Sequence, residues 1–256
     1  MRRLISCLLL ALAACSPATP PPAPTTATTV ASTSAATPAP WFICDAIDAP
    51  SLFLFTRDGD VAHVSEFERP SGASEGAVDL QIGEGEGAAG SIYTPLTRDG
   101  ADAGFVRELN PGALEHQGIA YTPLISSIKL GEREATCRWL PRTRVQGFTG
   151  RRSFVISEDA DGDLIYTTFD FAAAAGAQPI DLGDNGRSTA FSVEVRGGSE
   201  NVRPDGADFR FAGRDGYAYH VSLVNAGAGQ LQVERNGVVI QTEPLTAFIV
   251  GQASAN

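Results

Sequence analysis

The 256-residue chain has no run of 18 apolar residues, no long heptad pattern and no Gly-X-Y period. A helical membrane span, a coiled coil and a collagen-like rod are therefore excluded. Wholesale disorder is excluded as well, because 43% of the residues are hydrophobic. Positive charge is scarce: 19 Lys and Arg stand against 30 Asp and Glu, for a net charge of -11. That balance repels a phosphate backbone and argues against nucleic acid as a partner. There are three histidines and four cysteines, and no H-E-x-x-H, C-x-x-C or Walker pattern. No catalytic residue, cofactor or metal is assigned on this basis, and an enzyme would need a constellation that spacing does not reveal.

What is present begins with an address. Met1-Arg2-Arg3 is basic, and Leu4 to Ala14 is an apolar stretch too short to cross a bilayer but long enough for a signal-peptide core. At its end, Leu12-Ala13-Ala14-Cys15 resembles the lipobox of bacterial lipoproteins. The resemblance implies that residues 1–14 are removed and that the Cys15 thiol takes a diacylglycerol, anchoring the chain to a membrane through its acyl chains. Ser16, rather than Asp, implies the outer membrane of a Gram-negative envelope under the enteric sorting rule. An ordinary secretory signal, cut at an A-x-A-like site, is the competing reading.

Residues 16–40 hold seven Pro, seven Ala, seven Thr, three Ser and one Val, with no charge. Such a segment cannot bury a core and is expected to run as a semi-rigid tether from lipidated Cys15 to residue 40. At about 3.1 Å per residue it would reach roughly 75 Å.

Cys7 leaves with the signal and Cys15 carries lipid, so Cys44 and Cys137 remain. In an oxidising compartment an isolated pair forms a disulfide. Zinc binding is the rival use, but no second cysteine or histidine stands at ligand spacing from either.

All 27 glycines lie beyond Trp41, between short apolar runs. Asp58-Gly59, Asp161-Gly162, Asp215-Gly216 and Asn236-Gly237 each separate strand-like segments and predict hairpins. The expected pairs are Ser51–Thr56 with Asp60–Ser65, Ser153–Ser157 with Leu164–Phe169, Asp208–Ala212 with Tyr217–Val224, and Gln230–Glu234 with Val238–Thr242. Only Phe171–Ala177 has helical composition. The fold class is all-β: antiparallel hairpins forming two small barrel- or sandwich-like modules. An internal echo supports the count. Arg57 to Ser65 aligns on Arg214 to Ser222 with six identities in nine, and Leu80-Gln81-Ile82 and Pro95-Leu96 find counterparts in Leu231-Gln232-Val233 and Pro244-Leu245. The reading is a degenerate duplication, with a disulfide-bonded module at 41–140 and a second at 141–256. Convergence of similar hairpins on similar residues is the alternative.

Several patterns look like chemistry. Gly72-Ala73-Ser74-Glu75-Gly76 fits G-x-S-x-G, yet a strand pattern rather than a helix follows, so Ser74 is expected on a surface loop. Gly85 to Gly90 fits G-x-G-x-x-G, but Glu84 and Glu86 would oppose a pyrophosphate. Glu158-Asp159-Ala160-Asp161-Gly162-Asp163 begins like a calcium loop without its later ligands, so a solvated hairpin tip is expected and weak calcium binding is the alternative. His63 and His220 occupy equivalent positions of the echo, which favours a structural role, and His116 stands apart. Arg138, Arg142, Arg144, Arg151 and Arg152 cluster in sequence. They would either share a face that meets an anionic partner or pair with the chain's own acids.

Residues 41–140, with an aromatic opening from Trp41 to Cys44-Asp45 and a closing Cys137, resemble the membrane-bound inhibitors of c-type lysozyme, lipoproteins built as small antiparallel barrels. The resemblance implies a lysozyme-blocking loop of the form Ser-Gly-x-Arg/Lys-Tyr and a later Lys-Gly. The nearest stretch here is Ala89-Gly90-Ser91-Ile92-Tyr93, which lacks both the leading Ser and the basic residue, and no Lys-Gly occurs. The functional expectation is a lipid-anchored envelope protein acting as a non-catalytic binding or inhibitory module toward a protein or envelope glycan. A structural or assembly lipoprotein is the alternative, and a hydrolase using Ser74 stands third.

Overall fold

The computed structural model describes residues 39–110, 121–172, 191–225 and 227–251, and no helix occurs among them. Cys15, His116 and most of the tether and of Phe171–Ala177 lie outside the described residues. What is described falls within one compact unit, Thr37–Asn256, built as two all-β modules.

The first module is an antiparallel meander of β1 (Ala39–Asp45), β2 (Ser51–Asp58), β3 (Val61–Glu68), β4 (Ser74–Ile82), β5 (Glu86–Ala88), β6 (Ser91–Arg98), β7 (Ala101–Leu109), β8 (Ile125–Leu130) and β9 (Arg133–Thr136). Its sheet order is β1-β2-β3-β4-β6-β7-β8-β9, with β5 paired only to β6. The curled sheet is tied back to its own first strand. Ala46 bridges Cys137, the Ile47 N–H donates to the Thr136 carbonyl at 2.9 Å, and the Arg138 N–H donates to the Asp45 carbonyl at 2.9 Å. The Cys44–Cys137 disulfide, with Cα atoms 4.9 Å apart, crosses the same seam.

The second module is a closed barrel of β10 (Thr143–Thr149), β11 (Arg152–Glu158), β12 (Leu164–Asp170), β13 (Val193–Arg203), β14 (Gly206–Ala212), β15 (Tyr217–Val224), β16 (Gly229–Arg235) and β17 (Val238–Val250). Two long strands make its corners. β13 pairs with β12 through Val193–Gly198 and with β14 through Ser199–Arg203. β17 pairs with β16 up to Pro244 and with β10 from Leu245. A register shift at Gly197-Gly198 turns β13 between sheets, and a Cβ on Gly198 would stand 2.1 Å from the Phe211 ring.

All four expected hairpins are present, as β2–β3, β11–β12, β14–β15 and β16–β17. Both central residues have positive φ at Asp215-Gly216 and Asn236-Gly237, whereas only the glycine does at Asp58-Gly59 and Asp161-Gly162. A fifth hairpin, β6–β7, turns on Asp99-Gly100 with φ of 53° and 80°. β1 begins at Ala39, two residues inside the segment expected to be tether.

The echoed segments lie on successive strands of both meanders. His63 on β3 faces Asp79 on β4, while His220 on β15 faces Gln232 on β16. In the aligned numbering those partners differ by two residues, an even step that preserves the sheet face and changes the neighbour.

Each module has its own core. In the first, Phe42 stacks on Phe55 with centroids 4.3 Å apart. In the second, Tyr166 is enclosed by Phe154, Phe211 and Tyr219. A third apolar cluster joins them: Ile43 and Leu52 from the first module meet Phe148, Phe171 and Ala247 of the second, and Phe67 packs edge-on to Phe148 at 4.9 Å. Strands at this junction are buried on both faces. Hence β1, β11 and β12 read as near-continuous apolar or small-residue runs, whereas β15 and β16 alternate.

The disulfide closes a loop across a separation of 93 residues, worth roughly 4 to 5 kcal/mol by chain-entropy reasoning. Cys44→Ser with Cys137→Ser is expected to lower the urea midpoint by a corresponding amount, and a midpoint insensitive to reduction would contradict this account.

Candidate functional site: a charged junction and two clefts

Asp45, the last residue of β1, is fully buried where the two modules meet. Its Oδ1 accepts a hydrogen bond from Arg69 Nη1 at 3.2 Å; its Oδ2 accepts from Arg138 Nε at 2.9 Å and from Ser153 Oγ at 2.6 Å. Arg69 also donates to the carbonyls of Ala46, at 2.5 Å, and Ala49. Arg138 lies over the Phe169 ring on β12, with Cζ 3.5 Å from the centroid. Two guanidiniums thus share one carboxylate, and carbonyl oxygens and a ring face offset the remaining positive charge. Burial holds the Arg69 guanidinium below its ordinary pKa, Asp45 opposes that shift, and Arg138 adds to it. Ser153 and Phe169 belong to the second module, so the cluster is an inter-module bond. Cys44 and Cys137 each immediately precede a member of it, and the disulfide holds Asp45 beside Arg138.

The arginines expected as a possible anion-binding patch do not form one. Arg138 is 1% exposed and committed to Asp45. Arg142 donates to the Asp159 carbonyl. Arg144 binds Glu158 at 2.5 Å and Glu200 at 3.0 Å; burial works to lower its pKa, but these carboxylates outweigh it and leave the group above its ordinary value. Arg152 bridges Asp170 at 3.3 Å and Glu243 at 3.1 Å, and Glu243 also accepts from Thr149 Oγ1. Arg151 alone of the five is exposed. Desolvating several cations together costs more than matching them to nearby acids, so Arg138, Arg144 and Arg152 are claimed by the chain's own carboxylates.

The other flagged residues are also placed. Ser74 opens β4, where its Oγ accepts the Gly76 N–H at 3.3 Å and a strand follows, so it is not on a strand-to-helix elbow. His63 Nδ1 lies 2.6 Å from Asp79 Oδ1, and His220 Nε2 lies 3.4 Å from Glu234 Oε2. In the acidic hairpin, Asp159 Oδ1 accepts the N–H groups of Asp161 and Asp163, while Glu158 binds Arg144 and accepts the Tyr121 hydroxyl at 3.0 Å. Two of the four carboxylates therefore brace the protein itself. Among the described residues, no three His, Cys, Asp or Glu side chains gather to hold a metal ion. The Ala89–Tyr93 stretch forms the β5–β6 turn. Its Ser91 is buried and accepts from Arg107 Nε, and Tyr93 packs against Phe105.

Two concave sites among the described residues bear on binding. The larger, about 700 Å³, lies at the β13 corner of the barrel. Pairing between β13 and β14 starts only at Ser199–Arg210, so the end of β14 splays from Val193–Arg196. Tyr217, Tyr219, Val193 and Val195 line it, with Arg214 and Asp215 on the adjoining turn and Phe191 49% exposed beside it. The smaller, about 360 Å³, opens at the end of the first module that carries the β6–β7 and β8–β9 turns. Phe53, Val64, Val78, Leu80 and Leu130 line it, and Glu66, Glu75, Arg98 and Arg133 form its charged rim. Arg133 grips Glu66 with bonds of 2.9 and 2.7 Å; that contact holds the Glu66 carboxyl below its ordinary pKa against the opposing effect of burial. Neither cleft was legible from motifs, because each arises from where strand pairing stops.

No family profile and no curated protein matches the chain. Among solved structures, the WD40 domain of SCAP from fission yeast aligns over 81% of this chain and 44% of that one, at 8% identity and a TM-score of 0.17. The chain thus spans less than half of that domain.

Asp45→Asn leaves two buried guanidiniums without a counter-charge and is expected to cost on the order of 3 to 5 kcal/mol in a urea melt, far more than a surface Asp→Asn change. Stability is also expected to fall as pH rises above about 10. Burial pushes the phenols of Tyr166 and Tyr219 above their ordinary values. A raised folded pKa contributes stability that is complete below the unfolded value and is lost as pH climbs toward the folded one. Tyr166→Phe should flatten the alkaline limb of a stability–pH curve, and an unchanged limb would count against this assignment.

Proposed function

We propose that the chain is a lipid-anchored cell-envelope protein that acts as a non-catalytic binding or inhibitory module, held off the membrane by its Pro/Ala/Thr-rich tether. The anchor rests on Leu12-Ala13-Ala14-Cys15 and the charge-free segment behind it. The observation that carries the binding role is the pair of clefts, mounted on two modules that a buried ion cluster locks into one body. Recessed, partly apolar sites with a few charged groups at the rim are where ligands and partner side chains lodge. A rigid mount lowers the ordering cost of binding. The acidic charge, spread over 30 Asp and Glu, favours encounter with a basic partner. Lysozymes are one such candidate through the architectural resemblance of residues 41–140.

Two measurements test the reading. Palmitate labelling is expected to follow Cys15, and Cys15→Ser is expected to release the protein from the membrane fraction. The soluble chain is expected to bind a purified envelope component or to inhibit a c-type lysozyme. Retention of label in the Cys15→Ser variant would remove the anchor, and failure to engage lysozyme, peptidoglycan fragments or lipopolysaccharide would remove the binding role.

A further inference from the structure

β4 is bonded to β3 along most of its length but to β6 only through Gln81 and Ile82. The cause is local: β6 stops at Arg98, where Asp99 and Gly100 turn the chain back into β7. Residues 74–80 therefore have no strand opposite them on that side among the described residues. The Ile82 N–H donates to Asp60 on the β3 side, and the Gly83 N–H donates to Pro95 on the β6 side. Because backbone groups alternate along a strand, the N–H and C=O of Asp79 and Ala77 share the direction of Gly83 and face the gap. An edge of this kind is a template for another strand.

The gap is continuous with the smaller cleft. Val78 faces Val64 across the β3–β4 pair, yet it is 38% exposed where its neighbour Leu80 is 5% exposed, because the cleft opens beside it. Small residues, Gly76 and Ala77, leave the backbone of this edge accessible. Asp79, whose side chain is 69% exposed, lies on the outer face, and Glu75 lies on the cleft rim. Arg98 stands on the same rim, and Arg133 is occupied by Glu66.

Resting on the binding-module reading, we infer that β4 receives an extended polypeptide segment by strand addition, with apolar side chains at alternate positions and basic residues between them. The backbone of such a segment bonds to Ala77 and Asp79. One apolar side chain enters the cleft between Val78, Leu80 and Leu130, and the basic residues on the other face meet the exposed Asp79 carboxylate, which His63 Nδ1 approaches from the β3 side at 2.6 Å. A small apolar molecule would fill the cleft and leave the edge unbonded; a polypeptide satisfies both.

The test uses the chain from residue 15, carrying Cys15→Ser, and an acetylated, amidated peptide of alternating Lys and Val as the probe. Saturable binding by fluorescence anisotropy is expected, together with slowed hydrogen exchange of the Ala77 and Asp79 amides. N-methylation of alternate peptide bonds, Ser in place of each Val, and Val78→Arg in the protein should each weaken binding about tenfold or more, equivalent to ~1.4 kcal/mol. Absence of saturable binding, equal binding by the N-methylated or Ser-containing peptide, or unchanged exchange at Ala77 and Asp79 would each overturn the inference. The peptide controls and the exchange readout need no variant, so they decide the matter even if Val78→Arg fails to fold. A chain that binds its envelope partner equally well with and without Val78→Arg keeps the binding-module reading and discards this site.

Discussion

The buried carboxylate of Asp45 is the constraint around which the molecule is organised. An ion placed in a protein interior must be matched or it destabilises the fold by several kcal/mol. Here the match is drawn from four separate parts of the chain: Arg69 after β3, Arg138 after β9, Ser153 on β11, and Phe169 on β12 behind Arg138. Arg69 and Arg138 come from the first module with Asp45, whereas Ser153 and Phe169 can serve only when the second module is folded and docked. The cluster thus couples the closure of the first sheet to the seating of the second barrel. The disulfide one residue away on each strand acts on the same seam.

From that junction follows the division of labour within each module. Strands against the junction lose contact with water on both faces and carry Ile43, Leu52 and Phe148 outward into the shared cluster. Strands away from it keep one wet face, and there the pairing is incomplete: β4 outruns β6, and β14 splays from β13. Both clefts sit at those interruptions. Open concave surface thus lies where strand pairing is incomplete, while the buried ion cluster fixes both modules as one mount.

The fold class was legible because turn chemistry is local. Asp215-Gly216 and Asn236-Gly237 need positive φ at both centres, and the flanking alternation gives the strands their faces. The Asp99-Gly100 hairpin carried the same signal without being anticipated. The disulfide was legible by elimination, since only two cysteines remain once Cys7 and Cys15 are assigned to the expected signal and lipobox. The arginine run between 138 and 152 misled as a patch, because sequence proximity says nothing about which acid each guanidinium meets. Glu200 and Glu243 reach Arg144 and Arg152 from strands 56 and 91 residues away.

Sequence alone determined the all-β class, the two-module count, the Cys44–Cys137 pairing and the expectation of a lipid anchor at Cys15. All of these depend on short-range patterns or on simple arithmetic over residue types. Only the tertiary structure decided that Asp45 is buried between two arginines, that one module closes as a barrel while the other is tied along a seam, and that β4 is left with an open edge beside a cleft. The physical reason is common to all three: each depends on where distant strands begin and end relative to one another. Side chains whose partners lie 24, 93 and 108 residues away leave no periodicity to read.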